Sequence, residues 1–224
     1  MQKKLMLSIV VITLLNLFGC VAQETHKTIT PERVKSSQQT YNGVRADVAI
    51  GLFQNRSDYM RGLFSSNTDK LGNQSKTILK THLQQSHYFN VMDRQNLKGN
   101  TQEAKRLNLE QNIKGARYTI TGSITEFGRK VTGHKMLFGI LGSGKKQSAY
   151  AKVSLNIVDV LTSQIIYSVQ GAGEYTLSNE ELIGFGGHAG YDATLNGKVL
   201  NLAIMEAVNN MVSDRQNGVW KINQ

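Results

Sequence analysis

The sequence predicts an α/β fold, and three observations carry that expectation. An early segment has apolar residues in alternation, a late one repeats them at every third and fourth position, and two β-branched stretches between them flank a short polar turn. The early segment is Gly43 to Phe53, where Val44, Ala46, Val48, Ile50 and Leu52 share one face of a first strand. A polar, glycine-containing loop follows from Gln54. Leu71, Ile78, Leu79 and Leu83 then fall on one side of a helix that Asn67 or Thr68 is placed to cap. Tyr88 to Met92 reads as a short strand and Gln102 to Leu109 as a second helix. Arg117 to Phe127 is a strand rich in threonine, isoleucine and aromatic residues. Ser154–Val160 and Gln164–Val169 pair across Leu161-Thr162-Ser163-Gln164. Leu200, Ala203, Ile204, Ala207, Val208, Met211 and Val212 give the clearest amphipathic helix. Val219 to Ile222 closes the chain as a last strand or a packed tail.

The amino end sets the address. Lys3 and Lys4 precede an apolar run from Leu5 to Phe18, shorter than the ~20 residues a membrane-spanning helix needs, and Gly19-Cys20 ends it. This arrangement resembles the signal of a bacterial lipoprotein: residues 1–19 are removed, and Cys20 becomes the acylated amino terminus. A plain signal peptide ending near a cysteine is the alternative. Val21 in place of an aspartate favours the outer membrane, periplasmic side. Cys20 is also the only cysteine, so no intramolecular disulfide is possible and the domain must fold on packing alone. Residues 20–42 read as a polar tether that reaches roughly 70 Å fully extended, at ~3.3 Å per residue. Residues 43–224 then form one domain.

The chain has a net charge of +10; loss of Lys3 and Lys4 with the signal leaves +8. A basic surface outside the cytoplasm suits anionic partners such as lipid phosphates or acidic polymers, and nucleic acid is not expected. The basic residues are scattered, with small clusters at Arg129/Lys130 and Lys145/Lys146, a pattern that also fits ordinary solvated faces. Two glycine motifs approximate nucleotide loops. Gly139-x4-Gly144-Lys145-Lys146 has lysine where a Mg²⁺-binding hydroxyl belongs, and Gly184-Phe185-Gly186-Gly187-His188-Ala189 precedes strand alternation rather than a helix. The five histidines show no metal spacing, and no nucleophile-base or paired-carboxylate arrangement appears. No enzyme activity, no metal and no cofactor beyond the lipid on Cys20 are expected.

The lipoprotein signal followed in order by RADVAIGLFQN, SHYFNVMDRQNL, ARYTITGSITEF, VSLNIVDVLTSQIIYSV and NGVWKIN resembles the CsgG family, the curli secretion channel lipoproteins. The resemblance covers nearly the whole mature chain. It implies a single periplasmic α/β sandwich domain, a homo-oligomeric ring, and two amphipathic β-hairpins per protomer donated to one outer-membrane β-barrel. Fibre subunits would be the exported partners, with periplasmic accessory proteins. The alternative within the same fold is a lipid-tethered scaffold or activator without a pore.

The two hairpins map to about 127–157 and 167–195. Spanning limbs must alternate lipid-facing and lumen-facing residues over ~9–11 positions. In the second hairpin Tyr175, Leu177, Phe185, Ala189, Tyr191 and Ala193 fall on the expected lipid-facing side, with Asn179-Glu180-Glu181 as the turn. An amphipathic hairpin of a soluble domain has the same pattern. In the first hairpin the returning limb alternates from Ala149 to Ile157, but the outgoing limb carries Arg129, Lys130, His134 and Lys135 and does not. Its apolar tip, Met136 to Leu141, either spans or rests on the membrane surface. The resemblance further places a pore-narrowing loop near Tyr59 to Asn67, with Tyr59, Phe64 and Asn67 as candidate pore residues.

Overall fold

The computed structural model describes residues 30–59, 69–134, 144–177 and 193–222. From Glu32 onward these form one compact unit. A five-stranded sheet has the order β2-β1-β3-β4-β5, with β1 at Ala46–Asn55, β2 at Phe89–Met92, β3 at Tyr118–His134, β4 at Gly144–Asp159 and β5 at Ile165–Leu177. β1 runs parallel to β2 and β3, whereas β3, β4 and β5 form an antiparallel meander. The crossover from β1 to β2 is helix α1, Lys70–Gln85. Helix α2, Leu97–Arg106, lies between β2 and β3, and helix α3, Ala193–Gln216, follows β5. The predicted α/β class and its antiparallel hairpins are therefore present.

One sheet face and the two long helices make the core. Leu71, Leu79 and Leu83 of α1 and Val199, Leu200, Ala203, Ile204, Ala207, Val208 and Met211 of α3 are all buried. They meet Val48, Ile120, Ile124, Val153, Leu155 and Ile157 of the sheet. Side chains of this size each contribute ~1.5–3 kcal/mol when fully buried. Lacking a disulfide, the fold depends on this apolar contact.

Two bulges change which residues face it. Ile50 of β1 pairs with Ile120 of β3, but the next pair is Phe53 with Gly122, so one extra residue enters β1. Alternation predicts Leu52 inside; the bulge turns it out, 61% exposed, and brings Phe53 in. Gly122 makes room, because a Cβ there would come within 2.5 Å of the Phe53 ring. A second shift follows Ile124, so that burial moves from even positions of β3 to Phe127. Val44, expected on the inward face, lies exposed before the strand begins.

Helix boundaries also differ from the sequence expectation. The cap of α1 is Asp69 rather than Asn67 or Thr68: its carboxylate accepts the Gly72 N–H at 2.7 Å. Helix α2 lies about four residues earlier than predicted and stops at Arg106, because Asn108 takes a left-handed conformation at φ 55° and the Leu109 N–H returns to the Ala104 carbonyl. At the β4–β5 turn, Arg117 donates twice to Asp159, whose other oxygen accepts the Leu161 N–H at 2.8 Å. The hydrogen bonds from Arg117 hold the Asp159 carboxyl below the usual carboxylate range. Ser163, at φ 58°, completes the reversal.

Part of the expected tether is docked. Val34 is buried, the Lys35 N–H donates to Asn209 Oδ1 at 2.9 Å, and Lys35–Gln38 form a short 3-10 turn. Tyr41 stacks on Tyr88 with ring centroids 3.8 Å apart. The Arg215 guanidinium sits 5.5–5.6 Å from the Tyr41, Tyr88 and Trp220 rings and donates to the carbonyls of Tyr88 and Val44. Val34 and Tyr41 are isolated apolar residues in a polar stretch, so periodicity gave no sign of them. The C-terminal segment is a packed tail: Trp220 stacks with the Phe89 and Tyr167 rings and donates its indole N–H to the Met211 carbonyl at 2.9 Å.

Candidate functional site at the hairpin end of the sheet

β3, β4 and β5 outrun the rest of the sheet. The last partners of β1 and β3 are Asn55 and Ile124, yet β3 and β4 continue in register from Phe127/Ala151 to His134/Gly144. β5 stays with β4 to Leu177, opposite Gln147. The result is a three-stranded ribbon projecting past the parallel half of the sheet. Its helix-side residues Phe127, Ala149 and Ala151 are buried. On the opposite face Lys152 pairs with Glu126 at 2.6 Å, and the half-exposed Tyr150 ring lies over Gly128.

The chain segments flanking residues 60–68, 135–143 and 178–192 all meet at this end. Asp69 joins the first pair of flanks: one carboxylate oxygen caps α1 and the other accepts the Asn55 N–H at 2.7 Å. Asn55 in turn donates to the Tyr59 carbonyl at 3.0 Å and accepts the Ser57 hydroxyl at 2.6 Å. Tyr59 packs its ring on Phe127, centroids 4.6 Å apart. The first turn of α3 is tied to β3 by Arg129, which donates to Asn196 Oδ1 at 2.8 Å. Lys198 donates to the Tyr175 hydroxyl at 2.8 Å and lies 4.5 Å above its ring. The Asn196 side chain is fully buried, and its amide nitrogen has no hydrogen-bond partner among the described residues.

Helix α3 approaches β5 closely because of two glycines. A Cβ on Gly171 would lie 2.2 Å from the Ala203 carbonyl oxygen, and one on Gly173 would lie 2.6 Å from Leu202 Cβ. Tyr167 continues the same face, with its hydroxyl bonded to Asp214, and burial pushes that phenol upward in pKa.

Of the predicted site residues, the structure brings Tyr59 and Tyr175 to this end. Tyr59 packs its ring on Phe127, and Tyr175 lies on the side of β5 that α3 covers in the single chain. Leu177 is the last residue of β5. Ala193 was expected in the returning limb of the second hairpin, which ran to Leu195. It is instead the first residue of α3, and Leu195 is buried within that helix. The physical reason is that Leu195, Val199 and Leu200 extend the helical repeat upstream, where period-two alternation also fits. Cys20, Phe64, Asn67, Phe185, Ala189 and Tyr191 lie outside the described residues, as do the tips of both predicted hairpins. Arg129, Asn196 and Lys198 were not singled out together from sequence; only their placement by the fold unites them.

Among the described residues no helix is long and apolar enough to cross a membrane. The geometry defines a class, an α/β domain whose meander extends from one end as a ribbon and whose three intervening segments all depart there. The chain belongs to the CsgG family: the model of the "Curli production assembly/transport component CsgG" matches residues 32–223. The Neisseria meningitidis serogroup B protein named as lipoprotein NMB1126/NMB1164 is 56% identical over 209 residues, 93% of each chain. Among solved structures, a PelC dodecamer from Paraburkholderia phytofirmans has 14% identity and a TM-score of 0.35, covering 74% of this chain and 87% of that one. Lipoprotein GNA1162 from Neisseria meningitidis has 12% identity and a TM-score of 0.35, covering 62% and 90%.

Proposed function

We propose that this chain is an outer-membrane lipoprotein, anchored through Cys20, that assembles copies of itself into a ring and takes part in the export or assembly of surface-fibre subunits. The observation that carries the reading is the shared departure point: β3, β4 and β5 leave the domain in continuous register, and α3 begins at the same end. A protomer built this way has the described flanks of residues 135–143 and 178–192 at one end, as copies contributing to a common barrel require. Family membership supports the same reading.

A second reading, a non-pore envelope scaffold, is favoured by one specific feature. The helix-facing side of β5 is already occupied by α3 as far as Tyr175, so the base of the ribbon serves the domain core. Full-length protein extracted from outer membranes in mild detergent separates the two. The channel reading expects a ring-sized oligomer by ultracentrifugation and discrete conductance in planar bilayers. A ring without conductance supports the scaffold, and a small monomer without conductance removes the channel. Tyr191→Lys adds a charge costing ~2–4 kcal/mol per protomer if the position faces lipid, and it then blocks stable insertion.

A further inference from the structure

β2 has 4 residues and β1 has 10, so the sheet edge is notched: the last β1–β2 partners are Ala49 and Met92, and β1 continues to Asn55 paired only with β3. α1 walls the notch on one side and the turn after β2 on the other, leaving a cavity of about 120 Å³ at the carboxyl end of β2. This is the end of parallel strands where open α/β sheets hold ligands. The lining includes Lys76, Lys80, Asp93, Arg94 and Gln95.

The charges do not cancel. Asp93 binds Lys80 at 3.3 Å and accepts from the Gln95 N–H and the Asn96 amide, which hold its carboxyl down at about 2. Lys76 stands one helical turn before Lys80 on the same face, a like-charge spacing unfavourable in itself. It has no hydrogen bond or ion pair among the described residues. Arg94 donates to the neutral Lys114 carbonyl and has no carboxylate partner among the described residues. Three cations, Lys76, Lys80 and Arg94, therefore line one small space against the single carboxylate of Asp93.

We propose that this notch binds a phosphate group, as a phosphate monoester or as free phosphate. The cavity is well below the ~300–1,000 Å³ of sites that enclose drug-sized ligands, so it admits a group and not a whole nucleotide. A monoester is close to doubly charged near neutral pH and carries three acceptor oxygens, matching the excess of two positive charges in the lining. Arginine supplies the planar fork and lysine the point charge usual for such groups.

The test titrates ¹⁵N-labelled full-length protein in neutral detergent with sodium phosphate at constant ionic strength, following backbone amides. Saturable shifts at Lys76, Arg94 and Gln95 are expected, and Lys76→Gln weakens them about tenfold, the loss of one charge-assisted contact. Lys98→Gln, on α2 and not part of the notch lining, removes the same charge and leaves the affinity unchanged. Shifts reproduced by chloride alone, or equal weakening in both variants, overturn the proposal. A parallel titration with dihexanoyl phosphatidic acid identifies the source: tighter saturation of the same amides assigns a lipid headgroup, and equal or weaker binding than inorganic phosphate assigns a soluble phosphate. The readout does not require a ring or a pore, so its failure is distinct from failure of the proposed function.

Discussion

Substituting Gly171 by alanine tests whether the close crossing of α3 over β5 holds the domain together. The new Cβ would lie 2.2 Å from the Ala203 carbonyl oxygen, 2.4 Å from the Ala207 nitrogen and 2.8 Å from Ala207 Cβ. Comfortable carbon contacts begin near 3.5 Å, so the helix must withdraw by about 1 Å. The obstacle is helix backbone, which cannot swing aside as a side chain can. Ala203 and Ala207 sit among fully buried neighbours, so withdrawal loosens the whole row. Overpacking of this kind costs ~1–3 kcal/mol, here near the upper end. Alanine in a strand returns ~0.5–1 kcal/mol relative to glycine, leaving about 2 kcal/mol of net destabilisation. For a domain of this size that lowers the Tm by about 4–8 °C. Thermal unfolding followed by circular dichroism measures it on the full-length protein in detergent. Gly99→Ala in α2 is the control, since nothing lies within 4 Å of its Cβ position and helix propensity predicts a gain of up to ~1 kcal/mol. If Gly171→Ala melts at or above the parent temperature, the crossing is not tight and the reasoning fails.

Asp69→Ala removes both the α1 cap and the bond to the Asn55 N–H, and should lower stability by ~1–2 kcal/mol in urea titrations; an unchanged midpoint would show that Asn67 or Thr68 replaces it. His82 is buried against Asn201, donating from Nε2 to Oδ1, and burial lowers its pKa below the ordinary ~6.5. The unfolded chain then takes up a proton that the fold resists, so stability falls as pH drops below ~6.5, and His82→Gln should flatten that slope between pH 7.5 and 5.5. Tyr41→Ala and Arg215→Leu each break the cage that docks the tether; limited trypsin digestion should cut faster at Arg33 and Lys35, and cleavage at the parent rate would mean that Val34 alone holds the segment.

Periodicity found every strand among the described residues and the two long helices because each buries one face against a common core. It misplaced residues wherever the backbone changed phase. The bulge before Phe53 reverses the assignment of Leu52, and no composition signal marks it, since both residues are apolar. Ala193 was lost to a strand pattern for a related reason: small residues satisfy either period, and only the contacts of Leu195 and Val199 decide for a helix. Asp69 was within reach, being a preferred capping residue one position after Thr68 and two after Asn67. The hairpin end itself was half legible. Tyr59 and Tyr175 were visible as aromatic residues in meaningful places, but the pairs Arg129–Asn196 and Tyr175–Lys198 join residues far apart in sequence, and neither partner breaks a local rule.

Topology constrains the second hairpin more tightly than alternation does. α3 runs back along β5, with Lys198 beside Tyr175, Ala203 beside Gly171 and Asp214 beside Tyr167. Leu177 and Ala193 therefore lie at the same end of the domain. Only residues 178–192 lie between, so an out-and-back path has about seven residues per limb and reaches roughly 23 Å at ~3.3 Å each. A transmembrane barrel carries an apolar band ~25 Å tall. If the hairpin spans, the band has to begin at the level of Leu177 itself, leaving no stem between domain and bilayer. Tyr175 and Lys198 then stand at the interface, where an aromatic ring with a polar tip and a lysine are the residues a membrane surface accommodates best. Placing a glutamate at Leu177 should accordingly cost insertion as much as one at Tyr191, whereas a scaffold without a pore tolerates both.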